Sequence, residues 1–209
     1  MHDHTSAKVD ELVAQGETID HHICHLYHLH DDIENRSRRN NERIRGLPES
    51  TKMEDLIPTL QGLFNTILER PVSEWMEIDR AHRTLAPINP DPSKPIVVNC
   101  HLHYFSVKEE IMRKARTFST IDFDGATLTI MQDLSCFTLA QRRVLKPMLD
   151  LLRANNLLYT WGFPFQLVVR KNGQCIELRG PKDLPLFIAA LDLPMIQLPD
   201  WYSLPPLPS

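Results

Sequence analysis

The hydrophobic period of this chain changes once, near residue 40, and that change constrains the fold more than any other feature. Before it, Val9, Leu12, Gly16, Ile19, Ile23, Leu26, His30 and Ile33 recur at alternating spacings of three and four, the a/d register of a coiled coil. After it, short apolar runs alternate with amphipathic stretches, the pattern of strands and helices in a small α+β body. At the junction Arg36, Arg38, Arg39, Arg43 and Arg45 put five guanidinium groups into ten residues. The order read is helical stalk, basic collar, globular body.

The seam of the stalk is poor, because Gly16 and His30 occupy core positions, and about four heptads associate weakly alone. His21, His25 and His28 share one face but fall at outward heptad positions, so a solvated histidine face is expected and no metal site or other cofactor. With 209 residues and 42% hydrophobic content, the chain can bury one sizeable core or two small ones. No apolar run approaches the length of a membrane span, and the opening Met-His-Asp-His lacks the features of a secretion signal. Cys24, Cys100, Cys136 and Cys175 stand apart, without zinc or disulfide spacing. A reducing, intracellular setting is therefore expected, with no membrane partner.

The net charge of −4 hides an asymmetry. Residues 1–35 carry eight acids against Lys8, whereas residues 36–209 carry 22 bases against 19 acids. So small an excess means that any affinity for a polyanion must come from local clusters.

The spacing predicts a strand at 43–47 closed by Gly46 and Pro48, and a helix at 54–69 burying Leu56, Leu60, Leu63, Phe64, Ile67 and Leu68. Strands at 75–81 and 96–103, a helix at 107–118 capped by Ser106, and a strand at 128–131 follow. That order, βαββαβ, is the split βαβ of ferredoxin-like domains, which include the RNA-recognition fold. Beyond it come a helix at 138–155 bent at Pro147, strands at 157–159 and 166–170, an Asn172-Gly173 hairpin turn into 175–178, and a helix at 183–191. Pro194, Pro199, Pro205, Pro206 and Pro208 predict an extended or disordered tail. The expected domains are a coiled-coil segment 1–38, an RNA-recognition-like domain 39–133, a small α+β domain 134–192 and the tail 193–209.

Several strings carry a resemblance. They are Arg38-Arg39-Asn40-Asn41-x-Arg43-Ile44-Arg45-Gly46-Leu47-Pro48-Glu49, Asp79-Arg80-Ala81-His82-Arg83, and Lys108-Glu109-x-Ile111-x-x-x-Ala115-Arg116. Later come Asp133-Leu134-Ser135 with Thr138-Leu139-x-x-Arg142-Arg143, and Tyr159-x-Trp161-Gly162-Phe163-Pro164. Together they resemble the LINE-one retrotransposon first-ORF proteins, the transposase-22 or LINE-one RNA-recognition-motif family. The resemblance implies a trimeric coiled coil, a non-standard RNA-recognition domain and a C-terminal domain. It also implies single-stranded RNA and DNA binding and nucleic-acid chaperone activity, without catalysis, in a cytoplasmic or nuclear ribonucleoprotein. The chain departs from the family in the loop 85–95, where Lys94 is the only base, at Asn99 in place of an arginine, and at Glu42 in place of an apolar residue. Each departure is expected to weaken binding.

The collar arginines suit phosphate, since guanidinium forks match its geometry and release condensed counterions. A solvated linker paired with Glu34 or Glu42 is the alternative. Arg142 and Arg143, beside Lys146, match the family's nucleic-acid contacts, and Tyr159 offers a ring for a base. Arg80, Arg83, Arg113 and Arg116, with Lys114, are candidates to line a basic cleft between the two domains, unless Glu109 and Glu110 absorb the helical ones. Trp75, Trp161, Phe163 and Phe165 read as core. Because the first and third strands offer Ile44 and Val98 where base-stacking aromatics would stand, the sheet face is not expected to be the main surface. No phosphate loop, metalloprotease or nucleophile motif occurs, and Asp79, Asp91 and Asp133 are too scattered to define a nuclease. An oligomeric structural protein, or an element remnant that folds without binding, remains the other reading.

Overall fold

The structure, a computed structural model, describes residues 2–85, 91, 95–118, 120–198 and 201. It is α+β and divides into two compact units, residues 36–133 and residues 1–35 with 134–209. Most of the loop 85–95, including Lys94, and the prolines at 199, 205, 206 and 208 lie outside the described residues. Among those described, no helix is long and apolar enough to cross a membrane, and all four cysteines are free thiols.

The heptad stretch forms one helix, α1 (His2–Ser37). Its apolar stripe is open: Val9, Leu12, Val13, Ile19, Ile23, Leu26, Leu29 and Ile33 are 37–67% exposed. Near its end Asp31 and Asn35 are buried polar residues, and both are satisfied. Asn35 Nδ2 donates to Thr138 Oγ1 at 2.9 Å, Asn35 Oδ1 accepts from the Ser135 amide at 3.0 Å, and the Ser135 and Thr138 hydroxyls donate to the Asp31 carboxylate. Ser135 in turn caps α4 (Cys136–Val144) by accepting from the Thr138 amide. A carboxylate thus sits at a helix N-terminus, where the exposed backbone N–H groups favour negative charge.

The 36–133 unit runs β1 (Asn41–Arg45), α2 (Leu56–Leu68), β2 (Ile78–Arg83), β3 (Val98–Leu102), α3 (Phe105–Ala115), β4 (Ile121–Phe123) and β5 (Ala126–Gln132). Its sheet has the order β2-β3-β1-β5-β4, with antiparallel neighbours throughout. All six apolar residues of the predicted α2 stripe are buried, and they pack with Ile111 of α3 against Ile44, Val98, Cys100, Leu102 and Leu128. Gly46 has φ 98°, and a Cβ there would stand 2.3 Å from the Thr127 carbonyl oxygen, so only glycine fits where β1 ends against β5.

The C-terminal part continues with α5 (Lys146–Ala154), β6 (Tyr159–Gly162), β7 (Gln166–Lys171), β8 (Gln174–Leu178) and α6 (Leu184–Leu191). The strands form a meander whose Asn172-Gly173 turn has φ 52° and 80°, as a type I′ hairpin requires. Leu145, Met148, Leu152, Leu167, Val169, Phe187 and Ile188 form its core.

Several expectations need correction. The second strand starts at Ile78, not residue 75; Trp75 is 78% exposed, and Met76 and Ile78 are buried instead, after a turn in which the Glu74 amide bonds the Pro71 carbonyl. Ser106 does not cap α3, which begins one residue earlier with no side-chain cap. The strand placed at 157–159 begins at Tyr159, leaving Leu158 87% exposed. The helix expected to bend at Pro147 breaks into α4 and α5 at Leu145, with Pro147 in the first turn of α5. The start of the expected free tail is anchored: Leu193, Leu198 and Trp201 join the C-terminal core.

Candidate nucleic-acid interface

Strand alternation divides the basic residues of β1. Glu42 and Ile44 are buried while Asn41, Arg43 and Arg45 lie on the opposite, more open side, as period-two geometry demands. Cross-strand register extends that side. Asn41 pairs with His101, and Arg43 with Asn99; Arg80 and His82 of β2 pair with the same two β3 residues; Arg45 and Arg43 face Thr129 and Met131 of β5. The open face therefore carries three arginines and two histidines among amides, a hydroxyl and Met131, with the Glu77 and Asp79 carboxylates at its β2–β3 edge, while Ile44 and Val98 are fully buried on the core side. The missing aromatics at those positions thus say nothing about the open face, which is polar and basic.

Two atoms on this face lack partners. Arg43 Nε and Asn99 Oδ1, from cross-strand neighbours, are buried from solvent without a hydrogen bond. Arg45 and Arg80 are exposed.

Other arginines of the collar are used differently. Arg38 Nη1 donates to both Asp133 carboxylate oxygens at 3.1 Å, and Asp133 also accepts from Asn41 Nδ2 at 2.9 Å. Arg39 is exposed, its guanidinium 3.7 Å above the Phe105 ring, a cation–π contact that leaves its edges open. Arg36 lies exposed in the last turn of α1.

The five bases expected to line a cleft between the two domains all belong to the 36–133 unit. Arg83 is turned inward, its guanidinium donating to the carbonyls of Leu47, Ile96 and Pro48 at 3.2, 3.0 and 2.5 Å, a clamp holding two loops. Desolvation by the surrounding protein lowers its pKa from the usual arginine value. Arg113 and Arg116 are exposed on α3, in the layer behind the sheet, whereas Arg80 is on the open side. Lys114 is held by the Leu68 carbonyl and by Glu69, and Glu110 pairs with Arg70 rather than with an α3 base.

In the C-terminal part, Arg142 is a structural tie. It donates to the Gly162 and Pro164 carbonyls at 3.2 and 2.5 Å and lies 4.5 Å from the Trp161 ring centroid. Arg143 and Lys146 are exposed. Tyr159 is half-buried, its hydroxyl accepting from Arg153 Nη2 at 2.7 Å.

Behind the open face, Glu42 is fully buried, and neither carboxylate oxygen has a hydrogen-bond partner. Burial pushes its pKa up to about 8, against the pull of nearby Lys108. Burial and the same carboxylate also raise the Cys100 thiol. Asn41, His82 and His101 are not among the site residues expected from the sequence, and Asn99 is expected there only as a loss. Their signal is the cross-strand register, which one strand's periodicity does not contain. No family model matches the sequence, and no match to a curated protein reaches significance.

Proposed function

We propose that this protein binds single-stranded RNA or DNA with little sequence preference and acts as a nucleic-acid chaperone in a retrotransposon-type ribonucleoprotein, as the resemblance to LINE-one first-ORF proteins implies. The observation that carries the reading is the open sheet face, where Arg43, Arg45 and Arg80 share one side with Asn41, His82, Asn99 and His101. Phosphate neutralisation by such a cluster supplies sequence-independent affinity, and amide groups add exchangeable hydrogen bonds to bases or sugars. The strand order β2-β3-β1-β5, with both helices packed on one side, supports an RNA-recognition-like domain. Exposed Arg39, Arg143 and Lys146 extend the basic surface of their respective units.

The open apolar stripe of α1 supports self-association, as a trimer if the resemblance holds, which multiplies weak contacts through effective concentration. A second reading, an oligomeric scaffold or element remnant with little binding, is favoured by the internal use of Arg38, Arg83 and Arg142.

The test is titration of a fluorescent single-stranded RNA of about 30 nucleotides at several salt concentrations. The proposal predicts a log–log salt slope of about −0.7 per neutralised phosphate. Arg43→Ala/Arg45→Ala should weaken binding about tenfold or more and flatten that slope. Absence of binding at low salt would favour the scaffold, whereas equal binding by the double variant would overturn the open sheet face as the binding surface.

A further inference from the structure

At the β2–β3 edge of the open face, two carboxylates and one imidazole converge. Glu77, Asp79 and His103 each offer a ligand atom, all within 4.8 Å of one another. His103 Nδ1 lies 2.9 Å from Asp79 Oδ1 and 3.9 Å from Glu77 Oε1. On the other side of Asp79, its Oδ2 is 3.5 Å from His101 Nε2. A tetrahedral ion with bonds of about 2.0–2.1 Å separates its ligands by about 3.3–3.4 Å, which lies between the separations of His103 Nδ1 from Asp79 and from Glu77.

The backbone aims the group. The register of β2 slips between Ile78 and Arg80, so Asp79 is the extra residue of a bulge, the device by which strands re-aim a side chain. The Glu77 carbonyl is tied to the His103 amide at 3.2 Å, which holds both residues at the same end of the strand pair. The His103 ring packs edge-on against Tyr104, with centroids 4.6 Å apart.

A second observation lies outside the cluster. Asn41 Nδ2 donates to Asp133, which orients the amide and leaves Oδ1 as an acceptor, and His101 Nδ1 stands 2.6 Å from that oxygen. His101 therefore donates from Nδ1 and turns Nε2 toward the outer oxygen of Asp79 at 3.5 Å, a contact from outside the cluster that fixes a carboxylate ligand in place. Arg80, the adjacent base, makes no ion pair among the described residues.

We propose that Glu77, Asp79 and His103 form a surface site for a divalent first-row transition ion, Zn²⁺ being the best fit, with His101 supporting Asp79 through its other oxygen. An imidazole donor favours such ions over Mg²⁺ and Ca²⁺, which take oxygen ligands. The site borders the open face and shares His101 with it, but its argument does not rest on the proposed nucleic-acid function.

The experiment is calorimetric titration of the full chain with Zn²⁺, Co²⁺ and Mg²⁺, with Co²⁺ absorption as a spectroscopic readout. Histidines of α1 are competitors, so the parent is compared with His103→Ala, Glu77→Gln and His21→Ala/His25→Ala. The expected result is one Zn²⁺ or Co²⁺ equivalent that weakens at least tenfold in both His103→Ala and Glu77→Gln, survives in the α1 variant and does not compete with Mg²⁺. His101→Ala, which removes the support of the outer Asp79 oxygen, should weaken it about tenfold. Circular dichroism checks folding. Should His103→Ala unfold, the exposed Glu77→Gln decides. Unchanged binding in the folded edge variants, or loss of all tight binding in the α1 variant, would overturn the proposal.

Discussion

At the scale of single residues, the sharpest consequence comes from Glu42. It stands on the core side of a central strand, fully buried and without a hydrogen bond, so the charged form is costly. Its pKa rises from 4.5 to about 8 on folding. For an acid this sign means that the folded state holds a proton the unfolded state has released. The stabilising contribution is complete below about pH 4.5 and is lost as pH rises through 8. Between pH 5.5 and 8.5 the 36–133 unit should lose about 3 kcal/mol, read as a fall in denaturant midpoint. Glu42→Gln should remove most of that dependence; an unchanged pH profile in the variant would exclude Glu42 as its source. The sequence marks Glu42 as an oddity in an apolar strand. Its burial depends on the facing of β1, since a one-residue slip would turn it to solvent.

At the scale of elements, legibility followed the length and strength of each pattern. The α2 stripe was legible because its leucines repeat over more than three turns, and the β7–β8 hairpin because Asn172-Gly173 can do little else than turn. β4 was not, since three residues are too few to show alternation, and only pairing with β5 makes Ile121–Phe123 a strand. Trp75 misled because a large apolar residue reads as buried, whereas the turn at Pro71 delays the strand until Ile78. Arginine is the hardest residue to place, because one side chain serves either phosphate or carbonyl oxygens. Arg142 and Arg143 are neighbours on α4, yet Arg142 bonds the Gly162 and Pro164 carbonyls while Arg143 faces solvent. Arg142→Ala should therefore cost about 2–3 kcal/mol in stability and change RNA affinity less than twofold. Arg143→Ala should leave stability within about 0.5 kcal/mol. Thermal melts and RNA titrations of the two variants separate these outcomes.

At the scale of the whole molecule, the unevenly distributed charge decides what a polyanion can use. The net charge of −4 provides no general attraction, so binding rests on the few arginines not engaged by the protein. The sequence located the collar, but only the sheet register separates Arg43, Arg45 and Arg80 on the open face from Arg38 and Arg83, which brace the fold. Arginine footprinting with a dicarbonyl reagent, read by mass spectrometry with and without single-stranded RNA, tests that division most directly. The account predicts RNA-dependent protection of Arg43, Arg45 and Arg80, with Arg83 and Arg142 poorly reactive in both states. Bound RNA that leaves those three arginines as reactive as in the free protein would contradict it.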